Sequence, residues 1–567
     1  MIWRKIFRRA AIILFAGIFL ATAAVVGAKI QMYTATGEDY ANEIESQDIA
    51  KLRARDKAIK KATKQAGVYL KTYSRTVNSE LTDDEITAIT SNSWQLVSEP
   101  KYSRTVKQIS DETSIIVWTA TVEVNVDDSE LQSWIKRDDK DKSTIINQTR
   151  EAQRLSDEND RKVEDLREKY NRATSQAEKD NLRKQMSDAD RDFLANQKLE
   201  EGNKLAYAND YHGAIKLYNE VLVFGNYPMV YYNRGIVYYY LGQYEQSIKD
   251  YDKAIELNPN FTMAYNNRAV TYNELGKYQQ AIQDTNKALQ LNPNLDLAYN
   301  NRGNAYQKLQ QYERAIQDYN KAIELNPNSA MPYNNRGATY NELGKYQQAI
   351  QDTNKALQLN PNYFEAYNNR GNAYQKLQQY ERAIQDYNKA IELNPNFAMA
   401  YNNRGETYRL MQQYERAIQD YNKAIELNPN FAMAYNNRGN AYSDLGQNER
   451  AIQDYDKAIQ LNPNYFEAYY NRGTAYIKLQ QYERAIPDFN KTLQLNPNLA
   501  LAYNNRGVAH VLLGNFNQAM SDITKAIELN PNLASAYYVR GLIYQQLGET
   551  AKAQADFARA KQLGHNS

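Results

Sequence analysis

The chain has 567 residues with 69 Lys+Arg against 67 Asp+Glu, a net charge of +2 that gives no electrostatic case for nucleic acid as a partner. There is no cysteine, which excludes disulfides, thiolate nucleophiles and cysteine-ligated zinc. The 48 tyrosines against 13 phenylalanines point to a regularly spaced aromatic position filled by Tyr.

Residues 1–30 read as a targeting segment rather than part of a fold. Arg4, Lys5, Arg8 and Arg9 precede an apolar stretch over 10–28, the pattern of either an uncleaved signal-anchor or a signal peptide cut after Ala28. Both forms place the remaining chain in the extracytoplasmic space of a bacterial envelope. It is anchored in the membrane through 10–28 in the first form and secreted in the second.

From Glu38 to Thr72 the pattern is helical, with Ile44, Leu52, Ile59, Ala62, Ala66 and Tyr69 near one face. "TDDE" (Thr82 to Glu85) spells a capping box for a short second helix. The period then changes to two: Ile116, Trp118, Ala120, Val122, Val124 and Val126 alternate with more polar residues, a strand with one buried face. Residues 99–108 and a turn at Asp111-Glu112 complete an antiparallel hairpin, so 37–135 is expected to be a small α+β module. Its helix-then-hairpin order resembles modules of bacterial envelope lipoproteins and of a flagellar assembly protein. Residues 136–198 are heavily charged, with no Pro or Gly. They predict a helical spacer, either one long helix or a helical hairpin that covers the first repeat.

From Leu199 an internal period decides the architecture. Arg234, Arg268, Arg302, Arg336, Arg370, Arg404, Arg438, Arg472, Arg506 and Arg540 are spaced by 34 residues without a slip, and Asn-Pro-Asn recurs at the same interval. A worn copy over 201–220 gives eleven units within 199–564. With Tyr299 as position 4, the unit carries Gly303 at 8, Tyr306 at 11, Ala315 at 20, Tyr319 at 24, Ala322 at 27 and Pro327 at 32. This spelling resembles the tetratricopeptide repeat (TPR), except that position 7 is Arg where the family usually has Leu. The resemblance implies a mainly α chain: a right-handed helix-turn-helix superhelix preceded by the α+β module and the spacer.

Two asparagines follow Tyr299, although Asn is a mediocre helix former. Asn301 points about 200° away from Tyr299, opposite the packing face, and in a TPR solenoid that side lines the concave groove. The position is Asn233, Asn267, Asn301, Asn335, Asn369, Asn403, Asn437, Asn471 and Asn505 before Val539 breaks it. The neighbouring Asn304 becomes Val270, Ala338, Glu406 and Thr474 elsewhere, which reads as free drift beside a fixed row. A carboxamide both donates and accepts, so the row is a candidate groove for extended polypeptide. It is similar to the asparagine ladder in the TPR region of the enzyme that attaches N-acetylglucosamine to serine and threonine. The alternative is that the amides bond along the groove or to water. Asn300 and its equivalents sit nearer the flank and read as structural. Arg302 lies toward the packing side, and Asp318 on the second helix is its natural partner; Arg370 with Asp386 and Arg438 with Asp454 repeat the pair.

Catalytic spellings are few. His212, His510 and His565 form no metal-spaced pair, and no P-loop, dinucleotide fingerprint or nucleophile elbow occurs. The sequence reads as a non-enzymatic, membrane-tethered extracytoplasmic scaffold with protein or extended-peptide partners and no cofactor or metal. The alternatives are an assembly factor for an envelope secretion, pilus or polysaccharide complex, and a ligand sensor with a pocket in the 37–135 module.

Overall fold

A computed structural model describes residues 30–41, 46–76, 81–108, 114–127 and 139–565, in two compact units, 1–332 and 333–567. The first unit opens with a sheet of β1 (Ile30–Ala41), β2 (Gln95–Leu96), β3 (Lys101–Gln108) and β4 (Ser114–Asp127). β4 is central and every pairing is antiparallel. On one edge β1 sets Ile30 opposite Asp127 and Ala41 opposite Ile116. On the other, β3 and β2 follow in line, with Gln108 opposite Ser114 and Leu96 opposite Val124.

Helix α1 (Gln47–Thr76) covers one face of this sheet. Ala58, Ile59 and Ala62 pack with Ala35, Val122 and Val124. The approach is close enough that a Cβ on Gly37 would fall 2.3 Å from the Ala54 carbonyl oxygen. Helix α2 (Asp83–Ser93) carries the full capping box: Thr82 Oγ1 accepts from the Glu85 N–H at 3.2 Å, and the Thr82 N–H donates to Glu85 Oε2 at 2.8 Å.

The helix expected from Glu38 is corrected, because Glu38 lies in β1 and α1 starts at Gln47. The inward row of β1 is Ala35, Gly37, Asp39 and Ala41. Small residues are needed there because α1 lies so near, and they leave almost no hydrophobic period to read. Ile44 and the turn at Asp111-Glu112 fall outside the described residues.

The charged segment forms a hairpin of α3 (Asp139–Arg172) and α4 (Gln176–Tyr207). Val163, Leu166, Tyr170 and Ala173 meet Leu182, Met186 and Ala189 across it, and Ser175 caps α4 by accepting from the Glu178 N–H. The hairpin folds back on the sheet rather than projecting from it. Arg167 on α3 reaches the buried Asp39 of β1 with two bonds of 3.0 and 3.1 Å, and it donates to the Tyr40 carbonyl at 2.6 Å. Burial alone would raise the Asp39 carboxyl, but Arg167 and Lys57 hold it below its ordinary value. Arg53 of α1 pairs in the same way with Asp190 of α4, at 2.7 Å. α4 runs through residue 198 without a break and packs on α5 (Tyr211–Phe224).

From Pro228 to Gln562 the chain is a series of helix pairs at the 34-residue period. Ala298, Ala305, Ala315, Tyr319 and Ala322 are fully buried in one pair. A Cβ on Gly303 would come within 2.6 Å of the Tyr319 ring, so glycine is what allows the two helices to close. Each Asn-Pro-Asn turn is fixed by its first asparagine, whose Oδ1 accepts from the N–H of the second; Asn394 and Asn396 do so at 3.1 Å. The membrane-anchored placement is also corrected. Among the described residues no helix is long and apolar enough to cross a membrane, and the segment 10–28 with the cleavage point after Ala28 lies outside them.

Candidate functional site

The asparagine pairs form a hydrogen-bonded ladder. In 333–567, Asn437 Nδ2 donates to Asn402 Oδ1 (3.1 Å), Asn402 donates to Asn403 (3.1 Å), and Asn403 donates to Asn368 (3.0 Å). Asn369 donates to Asn334 at 2.9 Å and Asn471 to Asn436 at 3.0 Å, while Asn334 donates to Asn335 at 3.2 Å. Asn505 finds a tyrosine in the receiving position and donates to Tyr470 Oη at 3.1 Å. In 1–332, Asn301 donates to Asn266 (2.9 Å) and Asn267 to Tyr232 Oη (3.0 Å). Within each unit, Asn267, Asn301, Asn369, Asn403, Asn437, Asn471 and Asn505 thus tie their first helix to the first helix of the repeat before. The partner is the buried first asparagine for Asn301, Asn369, Asn403, Asn437 and Asn471, and a tyrosine for Asn267 and Asn505; Asn300 is buried as well.

Asn267, Asn301, Asn335, Asn369, Asn403, Asn437, Asn471 and Asn505 are half-buried. A carboxamide has two N–H donors and two acceptor lone pairs. The ladder uses one N–H and one lone pair of Asn403 with its neighbours, and a third bond goes to Asn372 Oδ1 at 3.1 Å. Asn233 is different, being fully buried. Gln148 of α3 donates to its Oδ1 at 3.3 Å, and its own amide donates to Asn203 at 2.8 Å. The expected groove position at Asn233 is therefore corrected: α3 covers it, and the exposed row begins at Asn267.

The variation at the Asn304 position is not drift. Tyr319 donates its phenol hydrogen to Asn304 at 2.9 Å, and Tyr387 to Asn372, Tyr421 to Glu406 and Tyr455 to Asn440 make the same bond. Where the buried tyrosine is replaced by Thr285 or Thr353, the acceptor's place is taken by Val270 or Ala338; beside Phe489 it is taken by Thr474. Those threonines bond back to their own helix instead, Thr285 to the Ala281 carbonyl at 2.8 Å and Thr353 to that of Ala349 at 2.7 Å. Only Tyr251 stands opposite an apolar residue, Ile236.

The arginines at position 7 make bidentate pairs. Arg302 reaches Asp318 at 2.8 and 2.7 Å, Arg370 reaches Asp386 at 2.8 and 2.6 Å, and Arg438 reaches Asp454 at 2.8 and 2.6 Å. The remaining nitrogen extends to the second helix of the preceding repeat, to Asn286, Asn354 and Asn422 respectively. This inter-repeat arm escaped the sequence reading, although those asparagines recur at the same 34-residue spacing. Each guanidinium also lies 5.4 to 5.5 Å from the ring centre of its own Tyr299, Tyr367 or Tyr435. Burial raises the Asp386 and Asp454 carboxyls even though their arginines pull the other way.

Four residues before the groove asparagine, on the same helix, several repeats carry an apolar side chain, interrupted by Glu365, Glu467 and Ser535. Met433 and Leu501 are 42% and 44% exposed, and Met399 and Phe431 are half-buried. Their signal is a Met or Leu at the second position of a repeat, with Phe431 two residues before Met433 but Leu499 before Leu501.

The tetratricopeptide repeat model matches residues 228–261, 263–295, 297–329, 330–363, 364–397, 466–499 and 500–533. Related TPR models match 405–446, 439–480, 386–419 and 523–555. No curated protein matches the chain. Among solved structures, the Cut9–Hcn1 hetero-tetramer of the APC/C is similar at 16% identity over 66% of this chain and 81% of that one, with a TM-score of 0.42. Yeast Tom70 is similar at 17% identity over 66% and 93%, with a TM-score of 0.35. A TPR protein from Parabacteroides merdae is similar at 24% identity over 44% and 98%, with a TM-score of 0.37.

Proposed function

The chain belongs to the tetratricopeptide repeat family, and from that premise we propose that its array of repeats, a protein-interaction scaffold, takes an extended polypeptide along the first-helix face. The observation that carries this reading is the half-buried amide row set beside the exposed Met433 and Leu501. The ladder holds each amide in one orientation, so the part left exposed is presented at a fixed pitch to a peptide backbone. The neighbouring apolar side chains bury the partner's own, and methionine adapts to many shapes. Backbone bonding with adaptable apolar contact suits many sequences rather than one.

An array of unstructured peptides probed with the full-length protein tests this. Met433→Ser with Leu501→Ser should lower binding several-fold across the array while leaving helicity by circular dichroism unchanged. Unchanged binding in the variant, or no binding to any peptide of the array, removes the proposal.

A further inference from the structure

A cavity of about 530 Å³ opens between α1, α2, α3 and α4, within the size range of small-molecule sites. Ile59, Ala152 and Trp94 give it an apolar side. Its charged lining is Asp56, Asp157 and Glu200 against Lys60 and Lys64.

Lys60 is already committed. Its ammonium lies 3.3 Å from both Asp56 and Asp160 and 3.8 Å from Asp157, and it donates to Ser156 at 2.7 Å. Glu200 is not committed: among the described residues its carboxyl makes no hydrogen bond and no ion pair. Lys204, one turn along α4, is turned away onto the face of Trp94, 3.0 Å from the ring centre. Burial pulls Lys204 down to about 7. Burial and the neighbouring Asp56 push Glu200 up to about 7. A half-buried, unpaired carboxyl beside other carboxylates is costly when ionised, and a cationic guest offsets that cost. Among the described residues no group of three His, Asp or Glu side chains is placed to hold a metal ion.

From this geometry we propose that the cavity binds a small organic cation, a primary ammonium on an apolar body, with the ammonium on Glu200 and the body against Ile59, Ala152 and Trp94. The site lies outside the repeat face, so it stands or falls separately from the peptide reading.

Isothermal titration calorimetry on the full chain at pH 8 tests it with three probes of matched body: 2-phenylethylammonium, 2-phenylethanol and 3-phenylpropionate. The ammonium should bind one to one, at least tenfold tighter than the alcohol, and the carboxylate should give no heat. Glu200→Gln should weaken the ammonium at least tenfold. Ser91→Trp, which sets a large ring in the cavity lining without removing a charge, should abolish binding and carries the test if the first variant does not fold. No heat from the ammonium, equal affinity for all three probes, or binding untouched by the substitutions overturns the proposal.

Discussion

The Tyr455 phenol donates to Asn440 Oδ1 across 2.8 Å, from a ring that is 1% exposed. A buried hydroxyl without an acceptor costs about 1–3 kcal/mol, whereas removing both partners is nearly neutral. Asn440→Val should therefore destabilise its repeat by about that amount, and adding Tyr455→Phe should restore most of the loss. Denaturation curves fitted with nearest-neighbour repeat terms read this directly. Equal losses in the single and double variants would show that Asn440 acts through something else.

Arg370 and Asp386 should couple in the same way, but more strongly. Arg370→Ala strands a buried carboxylate and should cost about 3–5 kcal/mol. Asp386→Ala leaves an arginine that still has Asn354 and the Tyr367 ring, and should cost less. The double variant should lose less than the sum of the two, and additive losses would refute the pairing. The pH dependence has a definite sign. The folded pKa of Asp386 is already raised by burial, and losing Arg370 raises it further. The penalty in Arg370→Ala should therefore shrink as pH falls through that value and the carboxyl takes up a proton.

The repeat fold was readable because one residue pattern returns every 34 positions, with each copy checking the others. The asparagine ladder was half readable. Helix geometry places Asn301 opposite Tyr299, but a helical wheel does not show that Asn301 meets Asn266 of the previous repeat. The apparent drift at Asn304 misled for the same reason: its cause, Tyr319, lies fifteen residues away on another helix. Strand β1 was missed because Ala35 and Gly37 are small to admit α1. The Glu200 cavity left no sequence signal, since its walls come from four elements joined only by tertiary packing.

Arg167 and Asp39 should decide whether the sheet and the hairpin fold as one. Both side chains are almost fully buried, so Arg167→Met leaves a carboxylate with Lys57 alone and should cost about 3–5 kcal/mol. Because the folded pKa of Asp39 is lowered, its contribution is present in full above the unfolded value of about 4. It is lost as pH falls through the lower folded value. All four tryptophans, Trp3, Trp94, Trp118 and Trp134, precede the repeats, so tryptophan fluorescence follows this region without interference. An unaltered fluorescence melt in Arg167→Met would remove the pair from the account.

The turns between the two helices of a repeat offer a stabilising change. Gly276 and Gly344 sit there at φ of +70° and +71°, but other repeats place Gln378, Gln412 and Gln480 at +59°, +59° and +58°. A side chain in the left-handed region costs about 1–2 kcal/mol, while glycine costs roughly 0.5–1 kcal/mol in unfolded-chain entropy. These three glutamine side chains are exposed, so replacing them gives up little packing. Gln378→Gly, Gln412→Gly and Gln480→Gly should each stabilise by up to about 1 kcal/mol, and because they stand at least one repeat apart they should add. The converse, Gly344→Gln, should destabilise by a similar amount. Thermal unfolding of the triple variant followed by circular dichroism at 222 nm, the usual helix signal, checks this. A lowered midpoint would mean that the glutamines hold the turn by contacts outweighing the backbone strain.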